Sequence, residues 1–403
     1  MIPKLRFPEF EDDYIKETLG SVSKDISYGV GAAAKPYDSL YRYLRITDID
    51  EGSFTNLNRG NSVSPNCTKE EGKEYILSKG DFVLARTGAS VGKIFLNTRY
   101  DNLVYAGFLI RFKINNKALP YYLTTSLQTQ RYHKWVSIMS VRSGQPGINA
   151  KEYSRYSLNL PSLQEQEKVL SLFKSFDQKI NLLTKKKEAL ETYKRGLMQK
   201  IFSQELRFKR KDGTDYPEWT STKIGNHTFK VSEKNKNLEP LPIYSISNKG
   251  GFVPQSEQFE GIDSSERGYD ISMYKIVGKD TFAYNPARIN VGSYGYSANL
   301  DRVQVSSLYV CFKVKPELSP IYLLYFMSSF KFNKSVLRNV EGGVRQYLFY
   351  DNFKNIGIPL PSLIEQEKII QALKLLDGNL GCLDNAINKT QELKKGLLQQ
   401  MFA

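Results

Sequence analysis

The chain has 403 residues, 40% of them hydrophobic, with 57 Lys and Arg against 42 Asp and Glu for a formal charge of +15. Mean hydropathy is −0.43 and no run approaches the ~18 apolar residues of a membrane span, so an integral membrane protein is not expected. The basic excess, together with 26 Tyr and 22 Phe, places nucleic acid first among candidate partners.

Cys67, Cys311 and Cys382 are odd in number and widely spaced, forming neither a disulfide framework nor a Cys-x-x-Cys zinc pattern, and His133 and His227 add few metal ligands. A reducing, cytoplasmic setting follows. The opening Met1-Ile2-Pro3-Lys4-Leu5-Arg6 lacks an apolar segment, so no secretory signal is expected.

Along the first half, Gly-, Asn- and Ser-rich loops such as 27–31 and 51–53 separate short strands predicted at Phe82-Val83-Leu84-Ala85 and over 109–114. A helix is predicted near 120–136. From Pro161 the pattern changes: Val169, Phe173, Phe176, Ile180, Leu183, Lys187, Leu190, Lys194, Leu197 and Ile201 alternate in steps of four and three, eight of the ten apolar. That seam is a coiled-coil pattern. The second half repeats the plan, with a strand at 308–312, a helix near 320–336, and a seam running from Ile369 to Met401. Ser162 with Glu165, and Ser362 with Glu365, have the spacing of capping boxes that start the two helices.

The halves are a tandem repeat. Pro161-Ser162-Leu163-Gln164-Glu165-Gln166-Glu167-Lys168 recurs 200 residues later as Pro361-Ser362-Leu363-Ile364-Glu365-Gln366-Glu367-Lys368, and 15 of 42 positions are identical as far as Phe202 and Phe402. Upstream the match is weaker: Gly92 and Gly292, Phe112 and Phe312, and Pro120 and Pro320 keep the offset, whereas Phe7-Pro8-Glu9-Phe10 and Tyr216-Pro217-Glu218-Trp219 lie 209 apart. Four segments are expected: globular domains over 1–160 and 204–360, and helices over 161–203 and 361–403. If each globule has neighbouring termini, the helices must pair antiparallel with a globule at each end. Val169 to Ile201 is 33 residues, about 50 Å of helix, which matches on the order of 15 base pairs of duplex. Two unlike globules at that separation would read two unlike half-sites.

Candidate contact residues sit by the polar loops. They are Tyr28, Lys35, Tyr43, Arg45, Arg86, Ser90, Lys93 and Gln145 in the first half, and Lys275, Arg288, Asn290, Tyr294, Tyr296 and Arg345 in the second. Arginine reads guanine in bidentate fashion, lysine anchors phosphate, and tyrosine stacks. Lys185-Lys186-Lys187 reads either as a solvated helix face or as a phosphate-facing run.

Catalytic strings are weak. Gly88-Ala89-Ser90-Val91-Gly92 matches G-x-S-x-G, but the repeat equivalent of Ser90 is Asn290. The phosphate-loop likeness of Gly88 to Lys93 fails at its spacing and at Ile94, and Asn285-Pro286-Ala287-Arg288 is not an adenine-methyltransferase box. No Pro-Asp dipeptide of a metal nuclease exists.

The doubled P-S-L-x-E-Q-E-K opening and K-x-G-L-x-Q-x-x-F ending resemble the central and C-terminal regions of bacterial type I restriction–modification specificity subunits. Segments 28–35, 43–49, 80–88 and 143–148 look like parts of that family's target-recognition domains, while 279–288 and 341–346 depart from them. The resemblance implies an α+β chain in which two target-recognition domains are separated by two long antiparallel coiled-coil helices, as a pseudo-twofold repeat. It implies a subunit without catalysis of its own and without a bound cofactor, with S-adenosylmethionine, ATP and magnesium belonging to partner subunits. The implied partners are double-stranded DNA with an asymmetric bipartite target, two methyltransferase subunits and, through them, restriction subunits. The rival expectation is a protein-only coiled-coil adaptor.

Overall fold

The computed structural model of the chain describes residues 3–49, 54–57, 63–142, 144–258, 261, 263–268, 270–342 and 346–402. The chain divides into two compact units, one comprising Met1–Thr184 with Asn385–Ala403 and the other Lys185–Asp384.

The first unit is built on an antiparallel four-stranded sheet in the order Ser23–Tyr28, Leu109–Ile114, Phe82–Ala85, Ile94–Leu96. Both apolar runs singled out in this half are strands. Every residue of Phe82–Ala85 is buried because both faces of the strand are covered, which is why it reads as continuous rather than alternating hydrophobicity. Phe82, Leu84 and Phe112 pack beneath helices Pro120–Ser126 and Gln130–Met139. Val83 and Ala85 face a second layer in which Arg42–Leu44 runs parallel to Leu103–Tyr105.

The second unit repeats this sheet as Thr228–Val231, Val310–Val314, Phe282–Tyr284, Tyr294–Tyr296. The register is conserved across the repeat: Phe82 faces Phe112 and Phe282 faces Phe312, with rings stacked at 5.3 Å and 4.9 Å respectively. Here the second layer is larger, placing Ile243–Ser247 parallel to Arg302–Val305 between Gly251–Pro254 and Lys275–Gly278.

Two expectations about where strands and helices begin and end change. The strand expected from Leu308 begins at Val310, and Leu308 itself is exposed. The helix expected over 120–136 is two helices, as is its counterpart at Pro320–Met327 and Phe330–Asn339. The break occurs where the hydroxyls of Thr129 and Ser329 accept from the backbone N–H groups of Tyr132 and Phe332, each starting a fresh helix as an N-cap.

The long helices span Leu163–Ser203 and Leu363–Met401. The Ser162 hydroxyl accepts from the backbone N–H of Glu165 at 3.3 Å. The other half of the expected capping box is replaced, because the buried Glu165 carboxylate accepts instead from Arg6 Nε and Nη2 at 2.9 and 2.8 Å and from the Tyr14 hydroxyl at 2.8 Å. Glu365 is held likewise by Arg207.

The next residue of the repeated motif is equally structural. Buried Gln166 accepts from the Leu119 N–H at 2.9 Å and donates to the Pro161 carbonyl at 3.0 Å, and Gln366 does the same with Ser319 and Pro361 at 2.8 and 3.0 Å. In each unit the first half of one long helix packs antiparallel to the last half of the other. Val169 and Phe173 share a core with Leu398 and Met401 in the first unit, and Ile369 and Leu373 share one with Met198 and Ile201 in the second. The chain is thus an α+β tandem repeat in which identical residues perform identical packing tasks.

Candidate nucleic-acid interface

In the first unit, four of the expected contact residues converge at one sheet end. Strand Phe82–Ala85 delivers Arg86, whose guanidinium lies 4.8 Å from the centroid of the Tyr28 ring. The Tyr28 oxygen accepts from the backbone N–H of Ala150 at 3.0 Å. The following turn, Gly88–Ser90, is tied to the loop bearing Gln145 by the Gly88 N–H donating to the Pro146 carbonyl at 2.9 Å. The Arg86 carbonyl accepts from Ile148 N–H at 2.9 Å, fixing that loop to the strand end. Tyr28 and Gln145 are exposed, and Arg86 and Ser90 are half-buried. The result is a rigid ledge presenting one guanidinium, one amide, one hydroxyl and one aromatic face. Such a set offers donors and a stacking surface to base edges.

The G-x-S-x-G string lies within this ledge. It joins the hairpin strands Phe82–Ala85 and Ile94–Leu96, so Ser90 sits on a strand-to-strand turn and not on the strand-to-helix elbow of a hydrolase nucleophile.

Lys93 follows that turn and lines a cleft against the long helices. Gly92 takes φ 85° there, and a Cβ would meet Val136 Cγ1 at 2.8 Å. Gly92 and its counterpart Gly292, with φ 90°, therefore serve the turn itself.

The remaining first-unit candidates are engaged within the fold. Tyr43 is 4% exposed, and its hydroxyl donates to the carbonyls of Ala32 and Val30 at 2.8 and 3.2 Å. It is a core residue and has no face to offer a base. Arg45 is spent on Asp48, with Nε and Nη2 each 2.9 Å from a carboxylate oxygen. Lys35 is paired with Asp38 at 2.9 Å.

In the second unit the loop geometry persists with different chemistry. The position of Arg86 is held by Pro286, whose carbonyl still accepts from the N–H of Leu348 at 3.0 Å. Arg288 and Asn290 are exposed around the short turn Ile289–Val291, where they fill the ledge. The tyrosines and the lysine do not. Tyr296 packs on Phe282 and donates to Asp280 at 2.6 Å. Tyr294 is half-buried against the core, and burial pushes its hydroxyl up to about 12. Lys275 is half-buried beside the Tyr309 carbonyl, which accepts from its ammonium, and burial lowers its pKa from the ordinary lysine value. Each of the three is occupied by the fold. Arg345 lies outside the described residues.

Of the lysine run, Lys187 is bonded to Asp384 at 2.5 Å, whereas Lys185 and Lys186 are exposed. Sequence reasoning missed the helix lysines 194, 374, 394 and 395, which line clefts in the two units. The 200-residue offset that relates Lys194 to Lys394 was the available signal.

Known proteins place this architecture. The type I restriction enzyme MjaVIII specificity subunit of Methanocaldococcus jannaschii is 23% identical over 384 residues, covering 91% of this chain and 86% of its own. The HsdS subunit from Thermoanaerobacter tengcongensis shares the fold with TM-score 0.51 at 16% identity, over 98% of this chain and 97% of that one. The type I restriction–modification S subunit from M. genitalium does so with TM-score 0.54 at 14% identity, over 100% and 99%. The profile described as "Type I restriction modification DNA specificity domain" matches residues 42–192 and again 198–394. With nearly the whole chain covered by two tandem copies of that profile, this protein belongs to the type I restriction–modification DNA specificity family.

Proposed function

We propose that the chain is the non-catalytic, sequence-reading subunit of a type I restriction–modification complex, recognising an asymmetric bipartite DNA target with one half-site per unit. The observation that carries this reading is the repeat itself. Two sheets share one register and one loop-to-strand hydrogen bond, yet Arg86 and Ser90 of one ledge become Pro286 and Asn290 in the other, and the sequence equivalent of Gln145 is Arg345. Equal scaffolds with unequal ledges suit two different words in one bipartite site. The paired long helices set the distance between those words and dock two methyltransferase subunits, which in turn carry the restriction subunits. S-adenosylmethionine, ATP and magnesium are then handled by those partners. A protein-only adaptor has no use for such ledges on a chain of charge +15.

Mapping methylated adenines in the host genome tests the reading. A split, non-palindromic motif that disappears when this gene is deleted supports it. A continuous motif, or one unaffected by deletion, overturns it.

A further inference from the structure

Each unit contains a cleft where its recognition sheet meets the long helices, about 530 Å³ in the first and about 480 Å³ in the second. The two are related by the repeat. Gly92 and Gly292, Ile94 and Tyr294, Gln128 and Ser328, Asp177 and Asp377, and Lys394 and Lys194 occupy matching positions in their linings.

Their charge is also matched although the residues supplying it differ. The first cleft gathers Lys93, Lys394 and Lys395 against Asp177, and the second gathers Lys194, Lys249 and Lys374 against Asp377. In both, the one carboxylate among the described lining residues accepts from one lysine and one tyrosine hydroxyl, so it is already neutralised within the protein. Among the described lining residues, Lys395 in the first cleft and Lys249 and Lys374 in the second give a cationic excess beyond that pair. Lys395, Lys249 and Lys374 stand exposed. The extra lysines sit at different places in the two halves, since Lys249 and Lys374 are not repeat equivalents of Lys93 and Lys395. Basic residues nevertheless recur at the repeat positions, Lys174 matching Lys374 and Arg195 matching Lys395.

The ligand follows from chemistry and position. Lysine on a flexible stem is a point charge suited to phosphate and not to base edges. The cleft wall at Gly92 and Lys93 continues directly from the turn Gly88–Ser90, and that at Gly292 and Tyr294 from Ile289–Val291. Each cleft therefore adjoins its ledge. We infer that these two clefts are phosphate-gripping sites that hold the DNA backbone beside each half-site without reading its bases. The inference rests on the DNA-reading role proposed above.

The test uses the full-length chain in complex with its modification subunits and a duplex selected by that complex from a random-sequence pool. Binding is measured across a salt series for wild type, Lys395→Gln and Lys249→Gln/Lys374→Gln. Removing one lysine–phosphate pairing lowers the slope of log affinity against log salt by about 0.9, so the slope should fall by about 1 for the single variant and about 2 for the double. Selected and scrambled duplexes should weaken by the same factor, and Lys395→Arg should restore the slope. Slopes equal to wild type, with unchanged melting temperatures, overturn the inference while leaving the DNA-reading role intact. A wild-type complex that enriches no sequence from the pool overturns that role and the inference with it.

Discussion

Asp177 accepts from Lys394 Nζ at 2.6 Å and from the Tyr121 hydroxyl at 3.1 Å, joining both long helices to the first unit's recognition domain through one carboxylate. Two hundred residues on, Asp377 is held by Lys194 and, at 2.7 Å, by the Tyr325 hydroxyl. The aspartates and lysines are repeat equivalents, but the tyrosines are not: Tyr121 corresponds to Ile321, and Tyr325 to Thr125. The hydroxyl is supplied from a neighbouring turn of the same helix face, four residues along.

Neutralising this carboxylate should cost little by itself. The Asp177 side chain is 40% exposed and Lys394 21%, so Asp177→Asn is expected to destabilise the first unit by about 0.5–1 kcal/mol. Differential scanning calorimetry should show a small drop, and exchanging the charges as Asp177→Lys/Lys394→Asp should recover part of it. A double variant less stable than both single variants would contradict the pairing.

The buried amide of the repeated motif should matter more. Gln166→Ala leaves the Leu119 N–H and the Pro161 carbonyl without their partner, and an unsatisfied buried polar group costs about 1–3 kcal/mol. Urea unfolding should therefore show a loss of roughly 2–3 kcal/mol, with a similar loss for Gln366→Ala in the other unit.

The two phenylalanines that end the repeats report on different units. Phe202 is 1% exposed and its ring lies against Tyr322 and Phe326. Phe402 takes the same place against Tyr122 and Phe173. Truncation of the fully buried Phe202 should cost about 3–5 kcal/mol, and that of the partly buried Phe402 less. Hydrogen exchange should accelerate in strand Val310–Val314 for Phe202→Ala and in strand Leu109–Ile114 for Phe402→Ala, with the other unit's strand unchanged in each case.

The ledges should be separable in function. On the proposed reading, Arg86→Ala should lose about 1–3 kcal/mol of discrimination at one half-site and none at the other, and Arg288→Ala should do the converse. Sequencing of duplexes selected by each variant measures this directly. Equal relaxation of both half-sites would argue against independent reading units.

The parts of the fold legible in the sequence are those where both halves solve one packing problem with the same residues. The repeated motif marks the starts of both long helices, although Glu165 and Glu365 bind arginines there instead of closing capping boxes and the loop-tying roles of Gln166 and Gln366 are not legible; the seam from Val169 to Ile201 is interrupted by Lys187 and Lys194 only where a partner aspartate waits. The ledges are half legible. Tyr28, Arg86, Ser90 and Gln145 come together, whereas Tyr43, Arg45, Tyr294, Tyr296 and Lys275 stand out by residue type alone and are held by the core or by ion pairs. Tyrosine and arginine serve interiors and interfaces with the same groups, so composition cannot divide them. The break at Thr129 and Ser329 is hidden because the apolar periodicity continues across it.

Unit boundaries that cross both long helices bear on synthesis as well as on stability. Lys185–Asp384 is one continuous stretch, while the other unit must wait for Asn385–Ala403. At about 5–20 residues per second, the ribosome spends roughly 10–40 s between Thr184 and Asn385. Throughout that interval the nascent N-terminal portion lacks Leu398 and Met401 from its core, leaving the groove beside Phe173 uncovered. The later-made unit is thus free to finish first, and the earlier-made one closes last.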